Sequence, residues 1–116
     1  MQNPVSIITA KADLDVHETR KIARAIDALI EQRQNKIVIE CSGADWIDPL
    51  ALGMLMACHH ALVSAGGELK FARTNKMIRG IFWKFGVDEL FEDYERLEDA
   101  LLSFDEEWDA PTARMM

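Results

Sequence analysis

The sequence predicts a single α/β domain: a small mixed β-sheet of four to five strands packed with about four helices. Three observations point there. β-Branched runs alternate with segments whose apolar residues recur every three or four positions. A length of 116 residues fits one domain. Hydrophobic residues at 49% and charged residues at 28% are sufficient for a packed core without a metal or disulfide staple. The domain is expected to span residues 1–107, with a flexible tail over 108–116 that contains Pro111 and ends in two methionines.

Residues 5–9, Val-Ser-Ile-Ile-Thr, read as the first strand, and a short extended piece is expected over 12–14. Asp15 is a helix cap and Glu18, three residues on, completes a capping-box pattern. Ile22, Ile26, Leu29 and Ile30 then form one apolar stripe, with Arg20, Lys21, Arg24, Asp27 and Glu31 turned to water. Residues 36–41, Lys-Ile-Val-Ile-Glu-Cys, form the clearest strand. A helix follows it, so the strand is expected to be central and parallel. Asp48-Pro49 pairs a preferred N-cap with a preferred first helical residue, and Gly66-Gly67 stops the helix they start. Residues 68–72 read as a strand, 75–85 as a helix closed by Gly86, 90–91 as a brief extended stretch and 94–104 as the last helix.

A formal net charge of −7 disfavours nucleic acids and anionic membranes as partners. The first residues lack a basic segment leading into an apolar run, so the expected location is the cytoplasm. Cys41 and Cys58 lack metal or redox spacing and read as reduced core thiols. The adjacent rings of His59 and His60 point about 100° apart on a helix, which suits no shared metal. His59 reads as a hydrogen-bonded boundary residue, and His60 as solvated. Gly66-Gly67 ends a helix instead of opening one after a strand, so no phosphate cradle, and no cofactor, is expected. No nucleophile stands at a motif spacing from either histidine, and an enzyme is not expected.

The segment from Leu50 to Val63 carries most of the functional information. Leu52, Leu55, Met56, His59, Leu62 and Val63 share the face expected to pack on the sheet. The opposite face presents Leu50, Met54, Ala57 and Ala61, with Cys58 at its edge. An ordinary surface helix is polar there, so this second apolar strip is either covered by a neighbouring helix or met by a partner, with free helix N–H groups at its Asp48 end. Trp83 falls beside the inner face formed by Ile78, Ile81, Phe82 and Phe85 and reads as a second contact point or as a ring over a domain edge. Trp46, just before Asp48, reads as a lid on the core, with a ligand platform as the alternative.

The order of these motifs resembles the STAS domain family, named for sulfate transporters and anti-sigma-factor antagonists, over residues 12–104. Leu14-Asp15 is similar to the family's turn before its first helix, and Ile37 to Gly43 to its hydrophobic strand ending in Asp-Leu-Ser-Gly. Ile47-Asp48 with Leu52-Gly53 matches the frame of its Asp-Ser-Ser-Gly-Leu-Gly signature. Ala65 to Leu69, Gly86 to Phe91 and Leu97 to Leu101 resemble later family motifs. The chain departs at the functional centre, where Asp48-Pro49-Leu50-Ala51 puts Leu50 at the serine that a kinase phosphorylates in anti-sigma antagonists. Leucine has no hydroxyl, so the usual phospho-switch is expected to be absent. Lys84 also departs, standing where the family has an apolar side chain.

The resemblance implies a non-catalytic, protein-binding regulator that meets its partner at the loop before this helix and its exposed side; joined to the apolar strip and the displaced tryptophan, it makes Asp48, Leu50, Met54, Ala57, Cys58, Ala61 and Trp83 the expected contact residues. The partner it implies is a serine kinase anti-sigma-like regulator. A transporter ATPase is the alternative, with the chain as accessory subunit of a membrane lipid transporter, and a homodimer through the Leu50 face is a third arrangement.

Overall fold

The structure, a computed structural model, describes residues 4–105. The expected boundary between a domain ending at 107 and a tail over 108–116 lies outside those residues. Strand β1 (Ser6–Thr9) leads into helix α1 (Val16–Glu31), strand β2 (Lys36–Glu40), helix α2 (Pro49–Ser64) and strand β3 (Glu68–Ala72). Helix α3 (Lys76–Lys84), strand β4 (Asp93–Tyr94) and helix α4 (Leu97–Leu102) complete the order. The four described strands stand side by side as β1-β2-β3-β4, and every pairing is parallel. The mixed sheet expected from sequence is therefore an all-parallel one here. A helix separates each pair of consecutive strands, and such a crossover returns the chain to the same end of the sheet.

Strand alternation assigns the two faces. Ile37, Ile39, Leu69 and Phe71 point to one side, where they form the main core with Ile22 and Ile26 of α1, Leu52, Leu55 and Leu62 of α2, and Ile78 and Phe82 of α3. Phe71, Phe82 and Phe91 close this core with ring centroids 5.0–5.3 Å apart. Val38, Ala72 and Tyr94 point to the other side and pack with Ala100, Leu97 and Leu101 of α4. Lys70 shares that second face and is buried; its ammonium donates to the Ser103 carbonyl at 3.1 Å and hydroxyl at 2.8 Å and lies 3.4 Å from Glu92. The sheet is thus covered on both sides, as a parallel sheet requires.

The last quarter of the chain departs from the sequence reading. The strand expected at 90–91 lies at Asp93–Tyr94, paired with Phe71 and Ala72, and Tyr94, expected in the last helix, is a strand residue. The helix itself starts at Leu97. At α1, Asp15 accepts the Glu18 N–H at 2.7 Å as expected. The reciprocal half of the capping box is not made: Glu18 is buried and accepts the Lys11 N–H at 2.7 Å, which ties the β1–α1 loop to the helix. Gly66 and Gly67 end α2 for two separate reasons. Gly66 has φ +78°, and a Cβ on Gly67 would lie 1.9 Å from the Asn35 carbonyl oxygen.

Candidate functional site at the start of helix α2

Because the strands are parallel, the loops leaving β1, β2 and β3 gather at one end of the sheet and deliver the first turns of α1, α2 and α3 there. The loop before α2 is fixed from both sides. Leu14 and Ile47 form a parallel bridge, in which Leu14 N–H donates to the Trp46 carbonyl at 2.9 Å and Asp48 N–H to the Leu14 carbonyl at 3.0 Å. Asp13 accepts the Asp45 N–H at 2.8 Å, and the Asn75 side chain donates to the Asp45 carbonyl at 2.9 Å while capping α3. Both Leu14 and Ile47 are fully buried. A loop held this way presents its side chains in a fixed arrangement.

Asp48 caps α2 by accepting the Leu50 N–H at 2.9 Å, and its carbonyl accepts the Ala51 N–H at 2.8 Å. Pro49 has no N–H. The first donors of the helix are therefore occupied, which corrects the expectation of free N–H groups at this end. The feature offered to a partner is instead the Leu50 side chain, 74% exposed, with Trp46 41% exposed in the preceding loop. Trp46 is a half-open ring at the edge of the site and not a lid over the core. Met77, in the first turn of α3, adds a third exposed apolar side chain at this end of the sheet.

The second apolar strip of α2 divides. Cys58 is buried in the main core. Met54 and Ala61 are half-buried, and with Ala57 and Cys58 they line a shallow crevice against Ala23 and Asp27 of α1. Helix α1 therefore covers part of the strip, and Leu50 and Ala57 remain exposed. Val63, expected on the inner face, is exposed, as is Phe85 at the end of α3. Trp83 is 74% exposed but is the eighth residue of α3, so it stands about 10 Å along the axis from that helix's start. Of the expected contact residues, Asp48 and Leu50 come together at the loop end, Met54, Ala57, Cys58 and Ala61 form the crevice, and Trp83 stands apart. Lys84 is exposed, and α3 seats through Ile78 and Phe82.

Burial, then the charge of Asp27, pushes the Cys58 thiol up to about 11, and burial raises Cys41 well above its usual value. Both are thiols at neutral pH and poor nucleophiles. Desolvation, then the neighbouring His60, lowers His59. Its Nδ1 has no hydrogen-bond partner among the described residues, against the expected hydrogen-bonded role, and its ring packs 6.3 Å from that of Phe91. Ser42 is exposed and bonded locally: its N–H donates to Glu40 at 2.6 Å and its hydroxyl at 2.9 Å. Thr19 is fully buried.

The family description of the STAS domain matches residues 1–100. The chain belongs to the STAS domain family. A crystal structure from Thermotoga maritima, of a candidate anti-sigma factor antagonist, superposes on this STAS domain with a TM-score of 0.79 at 18% identity over 89% of each chain. At that identity the likeness establishes the fold. No curated protein matches the chain in sequence. Asp48 and Leu50 stand at the start of α2, Asp48 as its N-cap and Leu50 in its first turn. Among the described residues no helix is long and apolar enough to cross a membrane, and no three His, Cys, Asp or Glu side chains cluster as a metal site.

Sequence reasoning did not assign Trp46, Asp45, Asp13 and Met77 to the loop end of the sheet where α2 starts. The signal available was the Asp-Trp-Ile-Asp alternation at 45–48, which buries Ile47 and turns Trp46 outward.

Proposed function

We propose that this STAS domain is a non-catalytic regulator that binds a partner protein through the first turn of α2, in the manner of an anti-sigma-factor antagonist, and that the binding is not switched by serine phosphorylation at that turn. The observation that carries the reading is Leu50, 74% exposed on a rigid, capped helix start. Covering a leucine side chain contributes about 1.5–3 kcal/mol, enough to make it an anchor, and a fixed loop loses little entropy on docking. Leucine offers no oxygen for phosphoryl transfer, so contact at this position persists whether or not ATP is present. The partner chemistry that fits the family is a serine kinase anti-sigma-like regulator, and the mechanism is competition for that partner.

The test is capture of partners from native lysate by the tagged chain and by Leu50→Glu, with and without ATP and Mg²⁺, followed by intact-mass measurement of the bait. The reading predicts a kinase-like regulator lost with Leu50→Glu, retained with ATP, and a bait of unchanged mass. Equal capture by both baits would sink the interface. Selective recovery of a transporter ATPase would reassign the protein as an accessory subunit, and a phosphate on the bait with release of the partner would refute the missing switch.

A further inference from the structure

Strand β1 lies at the edge of the described sheet, hydrogen-bonded to β2 on one side. The phase of that pairing is set by Ala10, whose N–H donates to the Glu40 carbonyl at 2.9 Å. In a parallel pair alternate residues turn their N–H and C=O to the neighbour, so Ser6, Ile8 and Ala10 face β2, and Val5, Ile7 and Thr9 turn theirs outward. The side chains follow the same alternation. Ile8 packs on the main core under α1, and the Ser6 hydroxyl donates to Gln34 at 3.0 Å on the same side. Val5 joins the second cluster, Ile7 registers with Val38 on that face, and Thr9 follows. Helix α4 packs on β2, β3 and β4, and Ile7 stays 45% exposed. The outward backbone groups and the β-branched stripe Val5, Ile7 and Thr9 thus belong to the same three residues.

We propose that this edge pairs with β1 of a second copy of the chain, antiparallel about a two-fold axis normal to the sheet at Ile7. That axis sets Ile7 opposite the partner's Ile7, Val5 opposite the partner's Thr9, and Thr9 opposite the partner's Val5. Each outward-facing residue then meets an outward-facing one, and three such pairs exchange about six hydrogen bonds. The facing side chains are all β-branched and lie on one face, a favourable cross-strand combination. A slip of one residue sets outward groups against inward ones, and a slip of two keeps only two of the three pairs, so the register centred on Ile7 makes the most bonds. The two four-stranded sheets become one continuous sheet. The short strand limits the buried area below that of a standard stable interface, which makes the dimer reversible. The two-fold sends the Leu50 ends in opposite directions, so self-association leaves both copies of that surface open.

The experiment is sedimentation velocity of the full chain from about 10 μM to about 1 mM, beside Ile7→Lys. Ile7 is half-exposed, so Ile7→Lys should keep its far-ultraviolet circular dichroism. Two like charges facing across the axis should raise the dimer Kd at least about tenfold. Facing Cα atoms at about 5.5 Å also predict that Ile7→Cys forms a covalent dimer on mild oxidation, whereas Lys36→Cys does not. A chain monomeric across the whole range would overturn the proposal. So would a dimer insensitive to Ile7→Lys, or an Ile7→Cys variant that crosslinks no faster than Lys36→Cys.

Discussion

Replacing Asp93 with asparagine tests how the sheet edge is held together. Asp93 is 3% exposed on β4, its Oδ2 accepts the Thr74 hydroxyl, and its Oδ1 has no hydrogen-bond partner among the described residues. Desolvation raises its carboxyl from 3.8 to about 6, against the smaller lowering effects of Thr74 and of the Arg79 charge. A carboxyl raised on folding binds its proton more tightly in the native chain. Its contribution to stability is therefore complete below pH 3.8 and is lost as pH rises through about 6. A separation of about two pH units corresponds to ~3 kcal/mol. Other carboxylates titrate in the same range, so the measured quantity is the difference in urea unfolding free energy between the native chain and Asp93→Asn at each pH. That difference should fall by ~3 kcal/mol in the variant's favour between about pH 4 and pH 6.5, then level off. The asparagine oxygen still accepts from Thr74, so any lost packing shifts the whole curve without changing its slope. A flat difference across the window, or one that rises with pH, would refute the reasoning.

Further outcomes follow from single contacts. Asp48→Ala removes the cap of α2 and should cost ~1 kcal/mol in chemical denaturation. Gly67→Ala forces a Cβ to within 1.9 Å of the Asn35 carbonyl oxygen, so Tm should drop by an amount equivalent to more than ~2 kcal/mol, where Gly53→Ala, with open space, should not lose stability. Cys58, 6% exposed and pushed up to about 11, should resist alkylation at pH 8 until the chain is unfolded in urea.

The elements legible in sequence were those with strong local signals. Asp15 and Asp48 each stand at the cap expected from their residue type, and β3 occupies the expected 68–72, while Asn75, expected as the first residue of its helix, caps it instead. The misplaced region was Leu90 to Arg96, where β4 has two residues and exists because Phe71 and Ala72 pair with it, a tertiary cause with no local pattern. At the site, Asp48 and the exposed Leu50 were legible from the Asp-Pro start and the second apolar strip. The division of that strip was not, because helical periodicity gives a residue's direction and says nothing of how far a neighbouring helix reaches. Glu18 shows the same limit: its spacing fits a reciprocal cap, yet a nearer donor, the Lys11 N–H, takes the carboxylate.

The most direct test of the account is the dissociation constant of the captured partner for the native chain and for Leu50→Glu, with thermal unfolding of both. Leu50 is 74% exposed, so Tm should match closely, while a charge placed in an apolar contact should weaken binding by at least about tenfold. Equal affinities at equal Tm would contradict the claim that the start of α2 is where this STAS domain meets its partner.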